Sequence, residues 1–182
     1  MGEAGPEFEM RTPHGDDRER RVCTTCGFVD YVNPKIVAGA VAQSGDGRIL
    51  MCKRAIEPRK GFWTLPAGFM EQGESVADAA RREAREEACA DLALLDLLAV
   101  YSIPRISQVQ MFFRARLADP NVAAGPESQA VALYEWDEIP FDDLAFPSVR
   151  WALEDWRARL GRTGAPPALR SQGEDFKPIN DV

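Results

Sequence analysis

Residues 68–90 read GFMEQGESVADAARREAREEACA and carry five glutamates and one aspartate: Glu71, Glu74, Asp78, Glu83, Glu86 and Glu87. Glu83, Glu86 and Glu87 stand at i, i+3 and i+4, one face of a helix. Like charges so placed cost a helix about 0.2–0.5 kcal/mol per pair. Such crowding gains a purpose where hard divalent cations bind, because their oxygen ligands outweigh their mutual repulsion once the ion sits between them. The competing reading is a solvated acidic face balanced by Arg81, Arg82 and Arg85. Ser75 is a suitable N-cap, with Asp78 three residues on as in a capping box. Val76, Ala79, Ala80 and Ala84 form a stripe small enough to lie very close to a sheet.

Working outward, IVAGAVAQ (36–43) and RILMCKR (48–54) read as strands joined by the turn signal SGDG. Residues 57–68 are a loop punctuated by Pro and Gly. LALLDLLAVYSI (92–103) and SQVQMFFRARL (107–117) read as strands that bend at Pro104, and VALYEW (131–136) as another. A second helix is expected from about Ser148 to Leu160, with Val149, Ala152, Trp156 and Leu160 at core spacing. Strands, helix, strands, helix is the order of a mixed α/β sandwich.

The chain has 182 residues, enough for one ordinary domain and an appendage. Its net charge of −7 argues against duplex nucleic acid as a partner. No apolar run reaches the roughly 18 residues that span a bilayer. The N-terminus lacks the apolar core of a secretory signal, so a cytoplasmic setting with reduced thiols is expected. Residues 1–20 are expected to be flexible, with 1–9 compatible with a vector-derived leader and Met10 a candidate start. Residues 21–35 form a Cys-x-x-Cys knuckle, 36–160 the main domain, and 161–182 an extended or disordered tail.

At this point a family resemblance is plain. The stretch resembles the Nudix box: Gly, five residues, Glu, seven residues, Arg-Glu, an apolar residue, any residue, Glu-Glu, any residue, Gly, then an apolar residue. Gly68, Glu74, Arg82, Glu83, Ala84, Glu86, Glu87 and Ala90 fit at the required spacing, and Cys89 replaces the glycine. The likeness extends through NPKIVAGAV, GFWTLPAGFME and GPESQAVALYEWDEIPFDDLAFPS, over roughly residues 20 to 157. It is similar to the ADP-ribose and FAD pyrophosphatases of that family.

The resemblance implies an α/β/α sandwich with a mixed central sheet, preceded by a short zinc-ribbon-like knuckle. It implies Mg²⁺ or Mn²⁺ held by Glu83, Glu86 and Glu87 with the Gly68 carbonyl, and a structural ion pair of Glu74 with Arg82. The implied reaction is hydrolysis of the diphosphate in ADP-ribose, giving AMP and ribose 5-phosphate, or in FAD, giving AMP and FMN. Glu86 and Glu87 are then catalytic. Glu127, in the loop where this branch often keeps its base, is either that base or a solvated loop charge, and Glu71 could assist a metal. His14, the single histidine, lies in the polar N-terminus and is not expected to act.

Tyr31, Phe62, Trp63, Phe112 and Phe113 are the candidates to stack on a base or flavin. At most two are expected to touch ligand, and strand alternation puts only one of Phe112 and Phe113 inside the sandwich. Tyr31, Trp63 and Phe112 are the ones selected, with Arg54 and Arg105 for phosphates ahead of Lys53 and Arg59. A homodimer is expected by resemblance.

NADH pyrophosphatases carry an SQPWPFPxS array downstream of the box. Here only Ser107-Gln108 matches, which weakens but keeps an NADH or other nucleotide alternative. Pro104 lies close to where ADP-ribose pyrophosphatases carry a marker proline. Cys23-Thr-Thr-Cys26-Gly27 resembles half of a zinc ribbon. A tetrahedral site wants four ligands and the second pair is absent, so zinc is not expected. Outside catalysis, a non-catalytic Nudix-fold nucleotide sensor is the competing class, yet such regulators usually lose the box carboxylates that this chain keeps. A zinc-ribbon interaction protein is a further class, disfavoured by the missing ligand pair.

Overall fold

A computed structural model describes residues 5–162 and 164–173. They form two compact units that divide after Pro34.

The first unit is a three-stranded antiparallel sheet of β1 (Phe8–Arg11), β2 (Arg20–Cys23) and β3 (Val29–Asp30) in that order. The knuckle is therefore larger than residues 21–35. Residues 8–11, expected to be flexible, pair with β2 in full register, Phe8 opposite Cys23 and Arg11 opposite Arg20. The Thr24 amide also donates to the Glu7 carbonyl at 3.0 Å. Gly27 closes the Cys-x-x-Cys turn at φ 75°, a conformation that favours glycine, and donates to the Cys23 carbonyl at 2.9 Å.

The second unit is built on a mixed sheet in the order β10-β5-β4-β9-β8-β11. Its strands are β4 (Lys35–Gln43), β5 (Ile49–Arg54), β8 (Leu92–Ile103), β9 (Gln108–Leu117), β10 (Ser128–Tyr134) and β11 (Ala168–Ser171). β4 runs parallel to β9 and β11 parallel to β8, and the remaining pairings are antiparallel. Two short strands fall in the stretch expected to be loop: β6 (Trp63–Thr64) on β5 and β7 (Ala67–Phe69) on β4. β11 falls in the expected tail. Prolines 166 and 167 hid it from pattern reading, because an edge strand can begin just after a proline. Residues 174–182 of that tail lie outside the described residues.

Two helices cover opposite faces. α1 (Val76–Ala88) lays Ala79, Ala80, Ala84 and Ala88, all fully buried, against Ala38, Ala40 and Ala42 of β4. With methyl groups on both sides, backbone meets sheet at short range, and any added volume there overpacks the layer. α2 (Pro147–Ala158) buries Val149, Ala152, Leu153 and Trp156 over Val41, Ile49, Met51 and Tyr101. Leu160 lies past the helix end and is 42% exposed, so Leu153 rather than Leu160 completes the stripe.

Because both faces are covered, Phe112 and Phe113 are both inside. Phe112 packs on the α2 side, and Phe113 is partly buried on the α1 side. The expectation that only one lies within the sandwich fits a sheet with one wet face, which this one is not.

Ser75 caps α1 as expected, its hydroxyl accepting from the Asp78 amide at 3.2 Å and donating to the Asp78 carboxylate at 2.6 Å. At the other end Cys89 takes the left-handed conformation, φ 49° and ψ 33°. The Cys89 and Ala90 amides return to the carbonyls of Arg85 and Ala84 at 3.0 and 3.1 Å. The turn that glycine would make is thus made by cysteine.

Candidate active site

The turn Leu65-Pro66-Ala67-Gly68 delivers β7 under α1, where the Ala67 amide meets Glu87 and the Phe69 carbonyl meets Arg82. A Cβ at Gly68 would land on the Glu83 carboxylate, and one at Gly39 would meet the Ala67 Cβ at 2.5 Å. Gly39 is thus required by close approach, because the Pro66 carbonyl also stands in the way, while a side chain at Gly68 would push the Glu83 carboxylate aside. Ser75 starts the helix at the register that turns Glu83 and Glu87 inward, and both are buried, while Glu86 stays at the rim.

Arg82 organises this cluster. Its guanidinium donates to Glu74 at 2.8 and 3.1 Å and to the Phe69 carbonyl at 2.9 Å, pinning the loop to the helix. The same side chain gives Nη1 to Glu83 Oε1 at 2.7 Å and to Glu86 Oε2 at 2.9 Å. The Glu74 pair holds the Glu74 carboxyl below its ordinary range. Glu87 accepts from the Ala67 amide at 3.1 Å, yet burial, reinforced by Glu83 and Glu127, pushes its carboxyl up to about 8. Burial also raises Glu83, against the pull of Arg82. Raised carboxylates crowded together mark a site built for an ionic partner rather than a solvated face.

The donor set fits a hard divalent ion: carboxylate oxygens already converge on a cationic group, the Arg82 guanidinium. They are not preassembled. Among the described residues no three His, Cys, Asp or Glu side chains are gathered as a ready metal site. The reason is visible in the bonds just given, since Arg82 ties up Glu83 and Glu86 while Glu87 is turned to Ala67.

These groups line a cleft of about 580 Å³, within the size range of small-molecule sites. Of the residues singled out from sequence, Gly68, Glu71, Arg82, Glu83, Glu86, Glu87, Glu127, Arg54, Arg105 and Phe112 line it. Glu127 is placed by its backbone, its carbonyl accepting from the Ala55 amide at 2.8 Å. Gly125 runs so close to α1 that a Cβ would strike the Glu86 carbonyl. Arg54 is held over the Phe146 ring, 5.2 Å from its centroid, and donates to the Pro58 carbonyl at 2.9 Å.

Two selected aromatics do not line the cleft. Trp63 packs edge-on against Tyr134, centroids 5.1 Å apart, under Lys53. Tyr31 belongs to the first unit, exposed, with Arg20 over its ring. Phe112 reaches the cleft from a 2% exposed position beside Tyr101, so its body serves the core. The other aromatic lining comes from Phe69, Phe146 and Trp151, and Gln172 lines the same cleft. Trp151 stands off the core stripe of α2, which was the available signal. Gln172 had none.

In the first unit the Cys23 thiol is held below its ordinary value by the amides of Cys26 and Thr25. That is how a zinc knuckle presents sulfur, but Cys23 and Cys26 supply two ligands of the four required. All four cysteines are free thiols.

Residues 33–157 match the family model described as NUDIX domain, and residues 4–32 that described as Nudix N-terminal, a zinc-ribbon family. The second match reaches into the stretch that reads as a leader. The chain is 31% identical over 120 residues to the ADP-ribose pyrophosphatase of Methanocaldococcus jannaschii, covering 64% of this chain and 69% of that protein. It is 27% identical over 142 residues to the NAD-capped RNA hydrolase NudC of Stutzerimonas stutzeri, covering 77% of this chain and only 51% of the relative. A crystal structure of a NUDIX hydrolase from Nitrosomonas europaea superposes with TM-score 0.84 at 41% identity, covering 94% and 97% of the two chains. With the box geometry, the family matches and the shared architecture in agreement, the chain belongs to the Nudix hydrolase family.

Proposed function

We propose that this protein hydrolyses the diphosphate linkage of a nucleoside diphosphate derivative, with ADP-ribose or FAD as substrate. The observation that carries the reading is one cleft that joins two kinds of lining: the carboxylates of Glu83, Glu86, Glu87 and Glu127, and the apolar and aromatic side chains of Ile103, Phe146 and Trp151. A diphosphate suits the first and a flat ring the second. Similarity to an ADP-ribose pyrophosphatase favours ADP-ribose.

Glu83, Glu86 and Glu87, with the Gly68 carbonyl, would hold Mg²⁺ or Mn²⁺. When bound, such ions neutralise diphosphate charge and acidify water. Arg82 keeps Glu83 and Glu86 paired until an ion competes for them, and Arg54 and Arg105 hold phosphate oxygens from the cleft wall. Glu127 takes the proton of the attacking water, and the phosphorus–oxygen bond to the leaving phosphate breaks. The buried α1 face excludes bulk water behind the carboxylates, where their fields act at low dielectric.

The similarity to an NAD-capped RNA hydrolase favours a second reading, cleavage of NADH-type diphosphates. Gln108, one of the two residues that match the NADH array, does line the cleft. A homodimer, to be checked by light scattering, and a cytoplasmic setting complete the reading. The latter accords with four free cysteines and with the finding that no helix among the described residues is long and apolar enough to cross a membrane.

The test is a panel of ADP-ribose, FAD, NADH, diadenosine polyphosphates and dNTPs with Mg²⁺ and with Mn²⁺. ADP-ribose or FAD should lead, releasing AMP. Persistence of that release in Glu86→Gln and Glu87→Gln would overturn the mechanism, and preference for a dNTP would overturn the substrate class.

A further inference from the structure

β11 does more than lengthen the sheet. It adds to the edge remote from β5 and β10, so the chain it carries reaches the end of the cleft opposite Glu127. Three tethers fix it. Arg170 donates to Asp155 of α2 at 2.5 and 3.0 Å, and the buried Tyr101 hydroxyl donates to the same carboxylate at 2.7 Å. Arg159, only 7% exposed, holds the carbonyls of Leu97, Leu98 and Ala165 at 3.0, 3.1 and 2.5 Å, clamping the approach to β11 against β8. The Gln172 amide donates to the Ser102 carbonyl at 3.0 Å, which fixes the backbone of the first residue past the strand.

Gln172 lines the same cleft as Trp151, whose ring centroid lies 5.9 Å from the guanidinium of Arg170 on β11. The Gln172 Oε1 is shut off from water and has no hydrogen-bond partner among the described residues. An unpaired buried acceptor carries an uncompensated desolvation cost. Among the described residues the other such atom is Nε of Arg159, whose remaining side-chain nitrogens are engaged. At Gln172 no group among the described residues fills the need, and Ile103 and Trp151 are among the residues that line the cleft with it. The terminal amide torsion of glutamine is broad, so the amide turns toward a cleft ligand at little cost.

We infer that Gln172 is a specificity-determining residue that accepts a hydrogen bond from an exocyclic amine on the ring of the bound nucleotide, as adenine presents. A flat ring against Trp151 would present its edge to the β11 side of the cleft, and an amine there supplies the donor Oε1 lacks. Hypoxanthine offers a carbonyl oxygen at the same position, which the amide meets only by turning Nε2 to the ring and giving up the acceptor contact, so an acceptor-only side chain at this position discriminates more strongly than glutamine. The inference rests on the reading of this cleft as the nucleotide-diphosphate site, but it concerns recognition of the ring and not the chemistry.

Calorimetric titration of AMP and of IMP, with Mg²⁺ present, tests it on the wild-type protein and on Gln172→Leu and Gln172→Glu. The wild type should prefer AMP. Gln172→Leu should lose about five- to tenfold in AMP affinity while IMP affinity moves less than about twofold, the share of one uncharged hydrogen bond falling on AMP alone. Gln172→Glu offers acceptors only, at the same length, and should sharpen the preference for AMP. Should Gln172→Leu fail to fold, Gln172→Asn, which shortens the reach, is judged on the same selective loss. Equal losses for AMP and IMP, an unchanged AMP affinity, or no AMP binding by the wild type overturns the inference. A wild type that discriminates AMP from IMP through Gln172 yet does not hydrolyse ADP-ribose would overturn the proposed reaction alone.

Discussion

Arg82 Nη1 lies 2.9 Å from Glu86 Oε2, one turn along α1, and holds a carboxylate that a divalent ion would need. Glu86 is the exposed member of the trio, so an ion arriving from solvent meets it first. Mg²⁺ at millimolar concentration should raise the melting temperature by several degrees, since anything that binds the folded state alone stabilises it. Glu86→Gln should remove most of that rise and cut hydrolysis by on the order of 100-fold or more, beyond the usual cost of losing an outer partner of a metal site. An undiminished Mg²⁺ shift in the variant would remove Glu86 from the ligand set.

Glu87 makes the stability of the metal-free protein fall as the pH rises from about 4.5 to about 8. Its folded-state value, about 8, lies above the ordinary 4.5, so the folded protein retains a proton that the unfolded chain releases. The sign follows: its contribution to stability is full below about pH 4.5 and is lost as the pH rises through about 8. In chelator, the urea midpoint should fall between pH 5 and pH 8 and then level for this group. Glu87→Gln should flatten most of the decline, leaving the smaller share of Glu83. A midpoint that climbs over this range in the metal-free wild type would contradict the burial argument.

Cys89 occupies a left-handed position at the end of α1, with φ 49°. A side chain there costs roughly 1–2 kcal/mol that glycine avoids, offset in part by the freedom glycine has when unfolded. Cys89→Gly should therefore stabilise the protein by about 1 kcal/mol, read from chemical denaturation, with hydrolysis unchanged because the carboxylates lie upstream of the cap.

Gly68→Ala should act in the opposite way. The added methyl would occupy the space of the Glu83 carboxylate. Activity should fall by at least about tenfold, the low end for disturbed metal-site partners. The apparent Mg²⁺ requirement should rise, because Glu83 is displaced from the cluster. Ala84→Leu is the companion at the other face of α1. It overfills the alanine layer and should cost about 1–3 kcal/mol of stability.

The chain wrote its chemistry locally. The spacing from Gly68 to Ala90 determined the helix, its cap at Ser75 and the face shared by Glu83 and Glu87, because these are set by helical geometry within the roughly four turns of α1, while the pairing of Glu74 with Arg82 was implied by the family resemblance. The alanine stripe likewise announced a close approach to a sheet. The N-terminal strand Phe8–Arg11 and the strand Ala168–Ser171 were not legible, since short strands take their stability from partners distant in sequence rather than from their own residues.

Only the tertiary structure decided which aromatics meet the cleft. It sent Trp63 against Tyr134 and brought Phe146 and Trp151 forward, because that outcome depends on how α2 crosses the sheet and not on any local pattern. It also decided the state of Glu87. A glutamate in a sequence is an ordinary acid, and its carboxyl rises only when the sheet, the Ala67 turn and the Glu127 loop close around it and take its water away.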